Sequence, residues 1–130
     1  MAAKLSRQQL VRGVDGLEPY PAMLVPLAQG GFEVIFPNLP RVRSYGITRD
    51  VARLNGVETL TFELGQMVVA GEDPPRPSRP ERLIPDEEEP AGSELVVLEP
   101  DKAALRRRLG LEKREKGLAM AATLGRLGRK

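Results

Sequence analysis

The chain has 130 residues, a net charge of +2, 41% apolar residues and 4% aromatic ones, a composition that suits one domain with an aliphatic core. It contains no Cys and no His, which excludes disulfides, thiolate metal sites, cysteine nucleophiles and every serine–histidine or cysteine–histidine catalytic arrangement. No apolar run is long enough to span a bilayer, and the start lacks the hydrophobic region of a secretory signal, so a cytoplasmic location is expected.

In residues 1–19, Leu10, Val11, Val14 and Leu17 form a short apolar stripe suited to core packing or to dimer contact. Residues 20–27 are apolar but broken by Pro21 and Pro26, which predicts an edge strand. Gln29-Gly30-Gly31 reads as a tight turn. Phe32, Val34 and Phe36 then share one face at period two, completing a hairpin that Pro37 to Pro40 ends. Arg41–Tyr45 is a short third strand. Thr48 can cap a helix with Asp50 in its first turn. Val51, Leu54, Val57, Leu60, Leu64 and Met67 follow a helical spacing. Leu60, Phe62 and Leu64 also alternate with Thr59, Thr61 and Glu63, so period alone leaves 57–64 open between helix and strand.

Residues 71–93 carry seven acids, three Arg and six Pro, which predicts an extended, solvated linker of polyproline character. Its run Asp86 to Glu89 reads either as a decoy for a basic cleft or as a solvated linker. Glu94–Leu98 is a compact strand. Pro100-Asp101 opens a helix through Arg108 or Leu109, Gly110 interrupts it, and a second helical stretch runs from Leu111 to Leu124 before a frayed end. Residues 94–130 carry ten Lys/Arg against five acids.

Tyr20-Pro21-Ala22, Gly30-Gly31-Phe32-Glu33-Val34 and Phe36-Pro37-Asn38-Leu39-Pro40 resemble the Tyr-containing strand, Gly-aromatic hairpin and F-P-D-L-P-G turn of the HicB antitoxin family. Ser44-Tyr45-Gly46-Ile47-Thr48 resembles its S-x-G-x-T turn. Ala52, Asn55, Glu58 and Leu60 sit where its helix motif carries them, and Pro74-Pro75-Arg76-Pro77-Ser78 matches the P-x-P-S that follows. The resemblance covers residues 20–78. Asn38 stands for the usual Asp, Arg41 for the usual Gly, and the first 19 residues exceed the usual length. It implies an α+β fold: a partial RNase H-like β-β-β-α-β domain with a helical C-terminal module, and helix at 57–64. The organisation expected is an N-terminal extension (1–19), a body (20–70), a Pro-rich acidic linker (71–93) and a closing strand with a basic helical module (94–130).

Members of that family silence HicA, a small RNA-cleaving toxin, and many bind their own promoter. The resemblance therefore implies a HicA-like toxin as partner, met by acids and a β-platform, with Phe32, Glu33, Ile35, Tyr45 and Asp50 as candidates. Arg106, Arg107, Arg108, Lys113, Arg114, Lys116 and Arg126 are candidate contacts to promoter DNA, or else the solvated face of a helical hairpin. The tail has too few apolar residues to fold alone, so it packs on the body or pairs in a homodimer or higher oligomer. An RNase H-type nuclease needs carboxylates converging on metal ions. The first strand has none, and the acids of residues 20–70 are Glu33, Asp50, Glu58 and Glu63. No catalytic, metal or cofactor site is expected. The function expected is an antitoxin that also represses its own promoter. A stand-alone DNA-binding regulator and a non-catalytic oligomeric adaptor are the alternatives.

Overall fold

The structure is a computed structural model that describes residues 4–80 and 90–112. The chain opens with α1 (Arg7–Asp15), capped by Ser6, whose hydroxyl accepts from the Gln9 N–H while the Gln9 side chain accepts from the Ser6 N–H. Strands β1 (Tyr20–Pro26), β2 (Phe32–Ile35) and β3 (Arg43–Gly46) precede the long helix α2 (Arg49–Ala70); β4 (Glu94–Leu98) and α3 (Lys102–Arg108) follow. The four strands form one antiparallel sheet in the order β3-β2-β1-β4. The fold is α+β, with the helices packed on one face of the sheet.

β1 is central, not the edge strand that its prolines suggested. The Leu27 N–H donates to the Gly31 carbonyl, so odd-numbered residues of β1 aim their backbone groups at β2 and even-numbered ones at β4. Pro21 therefore lacks an N–H on the β2 side, where pairing begins only at Met23. Pro26 lacks one on the β4 side, where pairing ends at Leu24. Each proline lies just beyond the ladder it would have interrupted, so the strand loses no ladder hydrogen bond.

The 57–64 ambiguity resolves to helix. Thr48 accepts from the Val51 N–H at 3.1 Å, and Gly71 ends α2 in the left-handed region at φ 73°. Tyr20, Ala22, Leu24, Val34, Phe36, Val96 and Leu98 on the inner sheet face meet Ala52, Leu60, Leu64 and Val68 of α2. Val14 and Leu17 from the first 19 residues join the same core, as do Leu105 and Leu111 beyond the Pro-rich segment. Gly56 and Gly65, which lower helix propensity, permit close approach. A Cβ on Gly56 would lie 2.9 Å from Leu98 Cδ1, and one on Gly65 would lie 2.6 Å from Leu105 Cδ2.

Residues 72–79 form neither helix nor strand but are fastened to the body. The Tyr20 hydroxyl donates to the Pro75 carbonyl. Asn38 donates from Nδ2 to Ser78 Oγ at 2.8 Å and accepts the Ser78 N–H at 3.1 Å. Burial, with a smaller contribution from Glu18, raises the Tyr20 pKa above its ordinary value. Asp101 caps α3 by accepting from the Ala104 N–H, and Gly110 turns the chain away at φ 67°. The acidic run Asp86 to Glu89 and the helix expected after Glu112 lie outside the described residues.

Candidate functional site

Strand alternation distributes the candidate partner-binding residues over different surfaces. Register places Val25, Glu33 and Tyr45 in one row across the sheet, and Leu95, Met23, Ile35 and Arg43 in the next. All of these face away from the helices. Glu33, Ile35 and Tyr45 therefore share the outer face. Arg43 lies 3.5 Å from Glu33 there, an exposed pair that contributes little stability and stays open to exchange for a partner's charge. The Tyr45 hydroxyl donates to the Gly30 carbonyl at 3.3 Å, which lays the ring along the hairpin.

Phe32 belongs to the other face. It is half-buried against the core beneath the Arg49 guanidinium, 4.7 Å from the ring centroid. Arg49 also donates to Glu94 Oε1 at 2.8 Å and to the Gly92 carbonyl at 2.9 Å. One side chain thus joins the start of α2, the hairpin and the start of β4. Asp50 is exposed in the first turn of α2.

Residues that share the helical spacing differ in burial: Val51 and Leu54 are 37% and 69% exposed, whereas Leu60 and Leu64 are fully buried. Val51, Phe62 and Val69 follow one line on the solvent side of α2, with Leu54 flanking it. Their spacing of 11 and 7 residues, close to whole turns, was the available signal. Ile47, just before the helix, is 65% exposed, and Tyr45 is 47% exposed on the outer sheet face.

Of the basic candidates, Arg107 and Arg108 are exposed on α3. Arg106 reaches Asp15 of α1 at 3.2 Å, and Lys102 donates to the Asp15 carbonyl at 2.9 Å. Arg7 donates to the carbonyls of Gly110 and Glu112, each at 2.6 Å. Lys113, Arg114, Lys116 and Arg126 lie outside the described residues.

No protein-family model and no curated protein matches the chain. Solved structures do. The N-terminal domain of the Burkholderia pseudomallei antitoxin HicB is 26% identical with a TM-score of 0.54, over 65% of this chain and 99% of that one. The chain is HicB-like. A chain of the HicA3 and HicB3 toxin–antitoxin complex is likewise 26% identical, with a TM-score of 0.53 over 65% of this chain and 99% of its own. The Burkholderia pseudomallei antitoxin HicB shares the fold at 22% identity and a TM-score of 0.56, over 82% of this chain and 96% of that one. The sheet carrying Glu33, Ile35 and Tyr45 is thus the HicB-like sheet, and α2 is the helix that packs across it. Among the described residues no helix is long and apolar enough to cross a membrane.

Proposed function

We propose that this protein is the antitoxin of a type II toxin–antitoxin pair, which binds and neutralises a HicA-like RNA-cleaving toxin. The observation that carries this reading is the HicB-like likeness over almost the whole of an antitoxin N-terminal domain, shared with a chain from a HicA–HicB complex. The surface chemistry agrees with it. A toxin that acts on RNA has to present a basic face. The outer sheet face offers Glu33, in an exposed pair with Arg43 that a partner's cation can replace, beside the exposed Tyr45 and the half-buried Ile35.

The protein acts in the cytoplasm as a non-catalytic binder, since β1 supplies no carboxylate where a nuclease of this architecture needs one. Promoter repression is the second half of the proposal, with Arg107 and Arg108 as the described phosphate contacts. Arg106 pairs with Asp15 at the junction of α1 and α3, an exposed pair as open to exchange for a phosphate as that of Arg43 and Glu33. The decisive experiment is co-expression with a HicA-like toxin, to be sought first as a short basic protein in a neighbouring reading frame. Growth arrest by that protein, relieved by this chain and not by a Glu33→Lys, Tyr45→Ala variant, is the expected result. Absence of complex formation combined with specific binding to the upstream DNA would instead favour the stand-alone regulator.

A further inference from the structure

Helices α1 and α3 run antiparallel, and polar contacts join them at both ends. Arg7 at the start of α1 donates to the Gly110 and Glu112 carbonyls beyond the end of α3. Asp15, the last residue of α1, meets the earlier part of α3. Its Oδ1 accepts from Arg106 at 3.2 Å, and its carbonyl accepts from Lys102 Nζ at 2.9 Å. Lys102 and Arg106 stand one turn apart on α3, and Arg12 stands one turn before Asp15 on α1. One carboxylate is thus set among the cations of Arg12, Lys102 and Arg106. The neighbouring acids are directed elsewhere: Asp101 accepts from the Ala104 N–H, and Glu18 acts on Tyr20.

The end of α1 is an unfavourable place for an acid. A helix C-terminus is the negative end of the macrodipole and favours cations over carboxylates. The Asp15 side chain is also 56% exposed and that of Arg106 41%, so water screens the pair and it is weak. Val14, Leu105 and Leu111 meanwhile fix both helices in the core, so the cations keep their places when the carboxylate is displaced.

We propose that Asp15 is an internal counterion occupying a phosphate site made by Arg12, Lys102 and Arg106, and that a phosphate of duplex DNA displaces it. This site extends the promoter-binding reading above, on which it rests, by adding α1 to the contact surface. A phosphate offers its free oxygens to a guanidinium fork and an ammonium together. It also belongs to a polyanion that releases bound cations on contact. A phosphate carries no sequence information, so Asp15 lowers affinity for every duplex alike.

Asp15→Asn in the full chain tests this, since the side chain keeps its shape and loses its charge. At low salt the variant should bind a duplex of the upstream DNA about two- to fivefold more tightly than wild type, and an unrelated duplex by the same factor. Its affinity should also fall more steeply with salt, by about one in the logarithmic slope, because one more cation is free to take a phosphate. Arg106→Gln should weaken binding and remove most of the gain when combined with Asp15→Asn. Glu18→Gln removes the same charge just beyond α1 and should gain less. Inorganic phosphate at constant ionic strength should compete weakly; strong competition would assign the site to a free anion. DNA binding unchanged by Asp15→Asn, or raised as much by Glu18→Gln, would overturn the proposal and leave promoter binding standing. No binding of either duplex by wild type or by Asp15→Asn would overturn both.

Discussion

The two faces of the sheet are made by the same strands, yet they follow different rules. The inner face is dry and aliphatic, with Tyr20, Leu24, Val34, Phe36 and Leu98 closed over by three helices. The outer face carries Glu33, Arg43 and Tyr45 around a buried pair, Met23 and Val25. A side chain on the inner face is constrained by every neighbour, because interiors pack at crystal-like density. On the outer face Met23 and Val25 are also enclosed by the chain, while Glu33, Arg43 and Tyr45 are constrained mainly by what they meet from outside it. Stability should therefore map to one face and recognition to the other.

That contrast breaks most visibly if an inner-face deletion is tolerated. Leu64→Ala should cost about 2–5 kcal/mol in urea unfolding, since it leaves a cavity between α2 and the sheet. Gly65→Val should cost about 1–3 kcal/mol through overpacking against Leu105. Adding Leu105→Ala should return part of that loss, a non-additivity that a double-mutant cycle would measure. Tyr20→Phe should cost about 1 kcal/mol near neutral pH through the hydrogen bond to Pro75. Its pH signature sharpens the test. Because the folded pKa of Tyr20 is raised, the unfolded phenol ionises first. Stability is intact below the ordinary tyrosine value and falls as pH rises toward the folded value. Wild type should therefore lose more stability in that alkaline window than Tyr20→Phe does. Smallest of all, Glu33→Gln on the outer face should change unfolding by under about 1 kcal/mol while measurably weakening toxin capture in a pull-down.

Most strands and both later helices were legible because their signals are local. Alternation at Phe32, Val34 and Phe36, Thr48 as a cap, and Asp101 before an apolar turn each act within a few residues. The start of α1 was equally local: Ser6-Arg7-Gln8-Gln9 is a capping box, written in the chain but not read as one. The position of β1 was misjudged because prolines were counted without asking which neighbour each missing N–H would face. That depends on where β2 and β4 stop. Arg49 was not legible at all, since its partners Phe32, Gly92 and Glu94 meet it only through the fold. The outer-face grouping of Glu33, Ile35 and Tyr45 was half legible. Period two separates Phe32 from Glu33 and Ile35, but only the register of β3 brings in Tyr45.

The grip of Arg7 on the carbonyls of Gly110 and Glu112 spans 103 and 105 positions of sequence. Helix α1 is thus completed by residues made about a hundred positions after it. Val14 of that helix and Leu17 just after it wait to be covered while α2, β4 and α3 are made, an interval on the order of 5–20 s at common synthesis rates. β1 waits as well, with one side of its ladder unpaired until Glu94–Leu98 arrives. Such distant closure slows folding, and it makes the nascent chain a better substrate for chaperones and proteases than the finished protein.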